Sequence, residues 1–151
     1  MSRALAVTRI KDILRAYSPP FQRVWIGEPL GLPIGIDRAA AAWFMGEAEK
    51  TQTFGNVMVA QTWRVRVYWR PRLADADREA LELAVWDCCR DLQADFRADS
   101  DLGGNVSAIQ IELAEGYGWI DVGALESGPE RYRVLTFDLT LWELEAEVIT
   151  Q

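Results

Sequence analysis

Histidine is absent from this 151-residue chain, which removes the commonest general base and the commonest metal-ligating side chain. Cysteine is nearly absent. The only two, Cys88 and Cys89, are adjacent, which suits neither a bridge between them nor a metal framework, so they read as small buried side chains. No run approaches the roughly 18 apolar residues that span a bilayer. The N-terminal MSRALAVTRIKDILRAY alternates charged with apolar residues where a secretory signal carries a continuous apolar stretch. The expectation is a protein that is intracellular when made and has no membrane partner. Positive charge is in deficit: 16 Lys and Arg against 23 Asp and Glu leave a net charge of −7. Nucleic-acid affinity comes mainly from basic side chains neutralising phosphates, so this balance disfavours tight wrapping of nucleic acid without excluding a surface past which DNA slides. Walker loops, serine-hydrolase elbows, zinc spacings and EF-hand loops are also missing.

What the chain has in quantity is aromatic and β-forming residues, and its organising stretch is Val57 to Arg70, VMVAQTWRVRVYWR. Successive strand side chains point to opposite faces. One face collects Val57, Val59, Gln61, Trp63, Val65, Val67 and Trp69; the other collects Thr62, Arg64, Arg66, Tyr68 and Arg70. At about 3.3 Å per residue such a strand reaches roughly 46 Å, far beyond the usual length of about 5–6 residues. Ala39 to Lys50 can pair back against it across the turn-rich residues 51–56, giving an antiparallel hairpin over about 39–70. Its far end has no evident core to enter, so the hairpin reads as a protruding arm that reaches for a neighbour.

Around this arm the elements fall in order. Ser2 caps a helix whose apolar residues Leu5, Val7, Ile10, Ile13, Leu14 and Tyr17 recur mainly at three- and four-residue steps, and Ser18-Pro19-Pro20 ends it. A short strand follows at Phe21 to Ile26. Gly27 to Gly35 is too rich in Gly and Pro for regular structure, and it lacks the Lys-Ser/Thr of a phosphate-binding loop. From about Asp77 to Arg97, Leu81, Val85, Cys88, Leu92 and Phe96 mark a long helix, with Ala84 and Cys89 widening its stripe. Residues 99–105 make a turn. The remainder reads as strands at Val106 to Leu113, Tyr117 to Val122 and Tyr132 to about Leu144, with a Gly/Ser/Pro loop at Gly123 to Pro129. In the last strand Leu135, Phe137, Leu139 and Leu141 share a face that continues as Glu143, Glu145 and Glu147, while Trp142, Leu144, Ala146 and Val148 take the other. A bulge or an exit from the sheet would explain that change of phase. The whole is an α+β fold: an antiparallel or mixed sheet, two main helices packed on it and a long hairpin, in one domain over 1–151.

Chemistry is harder to find. Asp95, Asp99 and Asp101, or Glu112 and Glu115, could collect a cation or do acid–base work, but each set lies near a turn or strand end, where carboxylates are usually solvated. The reading is no catalytic residue, no metal and no cofactor. Seven tryptophans and four tyrosines are many for one small core, and large aromatics are enriched at protein interfaces. Trp86 and Trp119 read as core; Trp63, Trp69 and Trp142 are left open between core and interface. Arg64, Arg66 and Arg70 are read either as a solvated face that discourages strand-on-strand aggregation or as partners for Glu143, Glu145 and Glu147 of an adjacent subunit.

The order of elements resembles the tail terminator proteins of long-tailed bacteriophages. The resemblance is carried by VMVAQTWRVRVYWRP, by the helix from Asp75 to Arg97 with its DLGGN exit, and by Arg131 to Glu145. It implies a structural virion protein and no enzyme: a ring, usually of six copies, that caps the finished tail tube, stops its polymerisation and offers the surface to which the filled head attaches. Its implied partners are itself, the tail tube protein and a head–tail connector or neck protein, with DNA passing the channel unbound; its place is the virion, at the head–tail junction, after assembly in the host cytoplasm. The subunit-interface candidates are Trp63, Arg64, Arg66, Tyr68, Trp69, Arg70, Trp142, Glu143, Glu145 and Glu147. Two alternatives remain: another head–tail completion or tail tube protein, and, from a different class, a small-molecule-binding or enzymatic α+β domain using the Gly27 to Gly35 loop.

Overall fold

The computed structural model describes residues 3–29, 33, 35–53, 56–71, 75–124 and 128–146. Its elements are α1 (Arg3–Ala16), β1 (Arg23–Ile26), β2 (Arg38–Thr53), β3 (Asn56–Trp69), α2 (Asp75–Ala98), β4 (Ala108–Ala124) and β5 (Gly128–Ala146). The strands form one five-stranded sheet in the order β1-β2-β3-β5-β4. Only β1 and β2 run parallel; the other neighbours are antiparallel. This is the expected α+β architecture, a mixed sheet with two helices.

Both helices cover the same face. Ala6, Ile10 and Leu14 of α1 and Val85, Cys88, Leu92 and Phe96 of α2 are buried in one cluster with Val65, Val67, Leu135, Phe137, Leu139 and Leu141 of the sheet. The apolar half of the β3 alternation thus meets the stripes of the two helices, as period two meeting period 3.6 requires. The turn after α2 locks the helices to each other. Asp99 accepts hydrogen bonds from the Gly103 amide (3.0 Å) and from Arg9 of α1, while Leu102, at φ 48°, is fully buried in the core.

Four details depart from the sequence reading. The runs 106–113 and 117–122 are one strand, β4, interrupted by a register shift between Glu112 and Gly116; an internal irregularity mimics a break in the alternation. The expected bulge in β5 is not there, because β5 pairs with β3 in unbroken register from Arg133 opposite Trp69 to Ala146 opposite Asn56. Bulges lie instead in β2, at Phe44/Gly46 and Thr51/Thr53. Trp86, expected in the core, is 65% exposed on the outer side of α2, since it follows the buried Val85 by one position and so points some 100° away from it. Trp119 lies outside the residues whose side chains are described.

The phase change in β5 comes after Leu141. Arg3, the first residue of α1, pairs with Glu47 at 3.2 Å, and Glu47 lies in register with Gln61, which lies in register with Leu141. In the next row on the same face Glu49, Val59 and Glu143 stand side by side, with Val59 buried and Glu143 Oε2 buried beside it.

Two substitutions check the layer assignment by chemical denaturation. Phe96→Ala, which empties a fully buried site against Phe137, is expected to cost about 3–5 kcal/mol. Trp86→Ser is expected to stay within about 0.5 kcal/mol of the parent.

Candidate assembly surface

The helix-free face of the sheet is where most sequence-predicted interface residues fall, and it is not uniformly solvated. At one end Tyr68 and Tyr132 meet edge to face at 6.4 Å, both essentially fully buried. They form a second small core with Ala39, Ala41 and Val134, flanked by Trp25, Ile36 and Trp43. The Gly/Pro-rich segment closes back here through Gln22. Its Oε1 accepts from the amides of Asp37 (2.5 Å) and Arg38 (3.0 Å), and its Nε2 donates to the Gly35 carbonyl (3.2 Å).

The arginines of β3 are engaged within the chain. Arg64 grips Asp138, its direct cross-strand neighbour, through Nε at 2.9 Å and a terminal nitrogen at 3.3 Å. Arg66 is buried: its Nε donates to Thr136 Oγ1 at 2.8 Å, and its guanidinium lies 5.4 Å from the Trp43 ring centre. Arg70 reaches Asp37 at 3.5 Å and the Tyr132 hydroxyl at 3.4 Å. The solvated-face reading therefore does not describe Arg66, and neither reading anticipated Asp138, which the cross-strand register alone puts opposite Arg64. Glu143 lies on the other, helix-bearing face, with Oε2 buried and unpartnered. The side chain of Glu145 and all of Glu147 lie outside the described residues. Trp69 is core and Trp63 packs partly buried against it.

Beyond Arg64 the helix-free face changes character. Gly46, Thr62, Thr140 and Gln110 lie in one row and leave a shallow depression of about 340 Å³. Past it come Ala60 beside Trp142, then Met58 beside Leu144, which is 54% exposed. Trp142 thus falls on the uncovered face. The two faces differ here: Glu49 and Glu143 flank the buried Val59 on the helix-bearing side, while Ala60, Trp142, Met58 and Leu144 lie on the other, with Lys50 in register beside Met58. A second apolar patch, Leu83 and Trp86 at 52% and 65% exposure, sits on α2. It borders a hollow of about 450 Å³ edged by Glu79 and by the Glu82–Arg133 pair at 2.9 and 3.0 Å.

A groove of about 400 Å³ runs between the C-terminal end of α1, the start of α2 and the Arg38–Trp69 end of the sheet. Tyr17 lines it, and burial pushes the Cys88 thiol up to about 12. Among the described residues no three His, Cys, Asp or Glu side chains come together as metal ligands, and Asp99 is committed to the turn it closes. No helix of the described residues is long and apolar enough to cross a membrane. No family model matches the chain, and no curated protein matches it significantly.

Two expectations follow. Arg64→Glu would oppose Asp138 with a second carboxylate in a site where each side chain is about one-fifth exposed, and is expected to lose about 2–4 kcal/mol; Arg64→Glu with Asp138→Arg should recover at least half of that in urea melts. The Cys88 thiol is protonated in the folded chain up to about pH 12, while the unfolded thiol ionises near 9. The raised folded value means stability present below pH 9 and lost as pH rises above it. Melting temperature should fall from pH 9 to 11, and Cys88→Ala should fall less steeply.

Proposed function

We propose that this protein is a structural assembly protein of a long-tailed bacteriophage, a ring-forming terminator that caps the tail tube, ends its polymerisation and presents the surface to which the head attaches. The reading joins the pattern of elements noted in the sequence to one observation, the apolar end of the helix-free face past the Gln61 row. Met58, Trp142 and Leu144 lie on the face opposite the one that the two described helices cover. An exposed apolar patch framed by polar residues marks an interaction site. A second patch, on Leu83 and Trp86, lies on the helix side of the molecule. Two different patches on opposite sides fit a head-to-tail contact, which closes into a ring or grows as a filament. The net charge of −7 suits a channel that DNA passes without binding. A neighbouring role in head–tail completion would use the same surfaces.

The test is genetic and structural together. Electron microscopy of lysates lacking this protein should show filled heads without tails and tail tubes of uncontrolled length. Leu144→Lys should melt like the parent, because its site is exposed, yet fail to restore tailed particles. Normal tails joined to heads in its absence would overturn the reading.

A further inference from the structure

Arg38 is the one arginine of the β2–β3–β5 core region whose guanidinium makes no hydrogen bond or ion pair among the described residues. It is clamped 5.5 Å from the Tyr17 ring centre and 4.8 Å from that of Phe21, two rings stacked on each other at 5.1 Å. Its Nε is buried without an acceptor, and the Nε1 of the adjacent Trp69 is buried in the same state. Both side chains line the groove of about 400 Å³ described above. Burial lowers the half-buried Arg38 guanidinium from its ordinary value; of the carboxylates that share the groove, Asp37 pairs with Arg70 and Asp87 makes no bond to Arg38 among the described residues. Stacking on aromatic faces holds the planar fork in place at little entropic cost, which suits it to recognising a carboxylate.

We infer that the Arg38 groove is a carboxylate-binding site, and that its occupant is the acidic stretch around Glu145 and Glu147 of a second copy of this chain. The inference rests on the assembly reading above. Geometry excludes the chain's own stretch. The groove lies where Arg38 pairs with Trp69 and Trp69 with Arg133, whereas β5 carries Ala146 to Asn56 at the opposite end of the sheet. Between Arg133 and Ala146 the strand covers roughly 43 Å at about 3.3 Å per residue. Glu147 follows Ala146 directly in sequence, and one residue adds at most about 3.6 Å, too little to return. The arginines of β3 are meanwhile taken up by Asp138, Thr136, Asp37 and Tyr132 of their own chain. The groove is then the cation-bearing half of a head-to-tail contact whose other half is an acidic strand end.

The experiment titrates the purified full chain by calorimetry with three probes: the peptide LWELEAEVITQ, the same peptide with its three Glu replaced by Gln, and acetate. The expected result is saturable binding of the first peptide, competition by high acetate, and affinity at least about tenfold weaker for the Gln peptide, the loss of a charge-assisted pair. Arg38→Gln should weaken the first peptide by a similar factor and Arg38→Lys by less, with melting curves recorded for both. Glu145→Gln with Glu147→Gln, which leaves the groove untouched, should reduce self-association of the full chain. Equal affinity for the two peptides, or an Arg38→Gln chain that is folded and binds unchanged, would overturn the site. Acetate competition with no peptide binding would overturn the second copy as occupant. Any of these results leaves the ring reading standing, because that reading is judged separately by the micrographs of particles made without the protein.

Discussion

The structure depends on β3 having two faces, one of which the two helices cover. Each β3 residue fixes a row across the sheet through its pairings with β2 and β5, so whatever lies over one residue sets the chemistry of three strands at once. Where α1 and α2 lie over the sheet, the rows through Val65 and Val67 are apolar and buried. At the row of Glu47, Gln61 and Leu141, Arg3 of α1 meets the sheet through Glu47. In the rows that follow, Glu49 and Glu143 lie on the helix-bearing face and Met58, Trp142 and Leu144 on the other.

The helix-free face shows how a strand can be basic in sequence without being a basic surface. Arg64, Arg66 and Arg70 are spread along one face, and each finds a different answer to burial: a carboxylate opposite, a hydroxyl with an aromatic ring, and an aspartate with a tyrosine. Buried cations need such partners, since the loss of water around an unpaired charge costs several kcal/mol. Arg38 departs from the pattern, with aromatic faces and no ion pair among the described residues.

Much of the fold was legible in the sequence because it rests on periodicity. The α2 stripe of Val85, Cys88, Leu92 and Phe96 and the alternation of β3 each obey one rule over many residues, and both are buried as that rule requires. What was not legible depends on register between distant segments. Asp138 as the partner of Arg64, seventy-four positions away, follows only once β3 and β5 are aligned. The β4 irregularity at Glu112 to Gly116 reads in one dimension as a gap between two strands. Trp86 is exposed because it follows the buried Val85 by one position on the helix. Among the interface candidates, Trp142 falls on the helix-free face and Trp69 in the core, a division set by the face of the sheet to which each points.

The central claim is that the apolar end of the helix-free face is covered by another chain in the working assembly. Hydroxyl-radical footprinting of the free chain and of completed tails, read at Met58 and Trp142, addresses it directly because both side chains oxidise readily when wet. The account predicts oxidation at both in the free chain and strong protection of both in the tail, with the buried Tyr132 unreactive in either state. Equal oxidation of Met58 and Trp142 before and after assembly would contradict it.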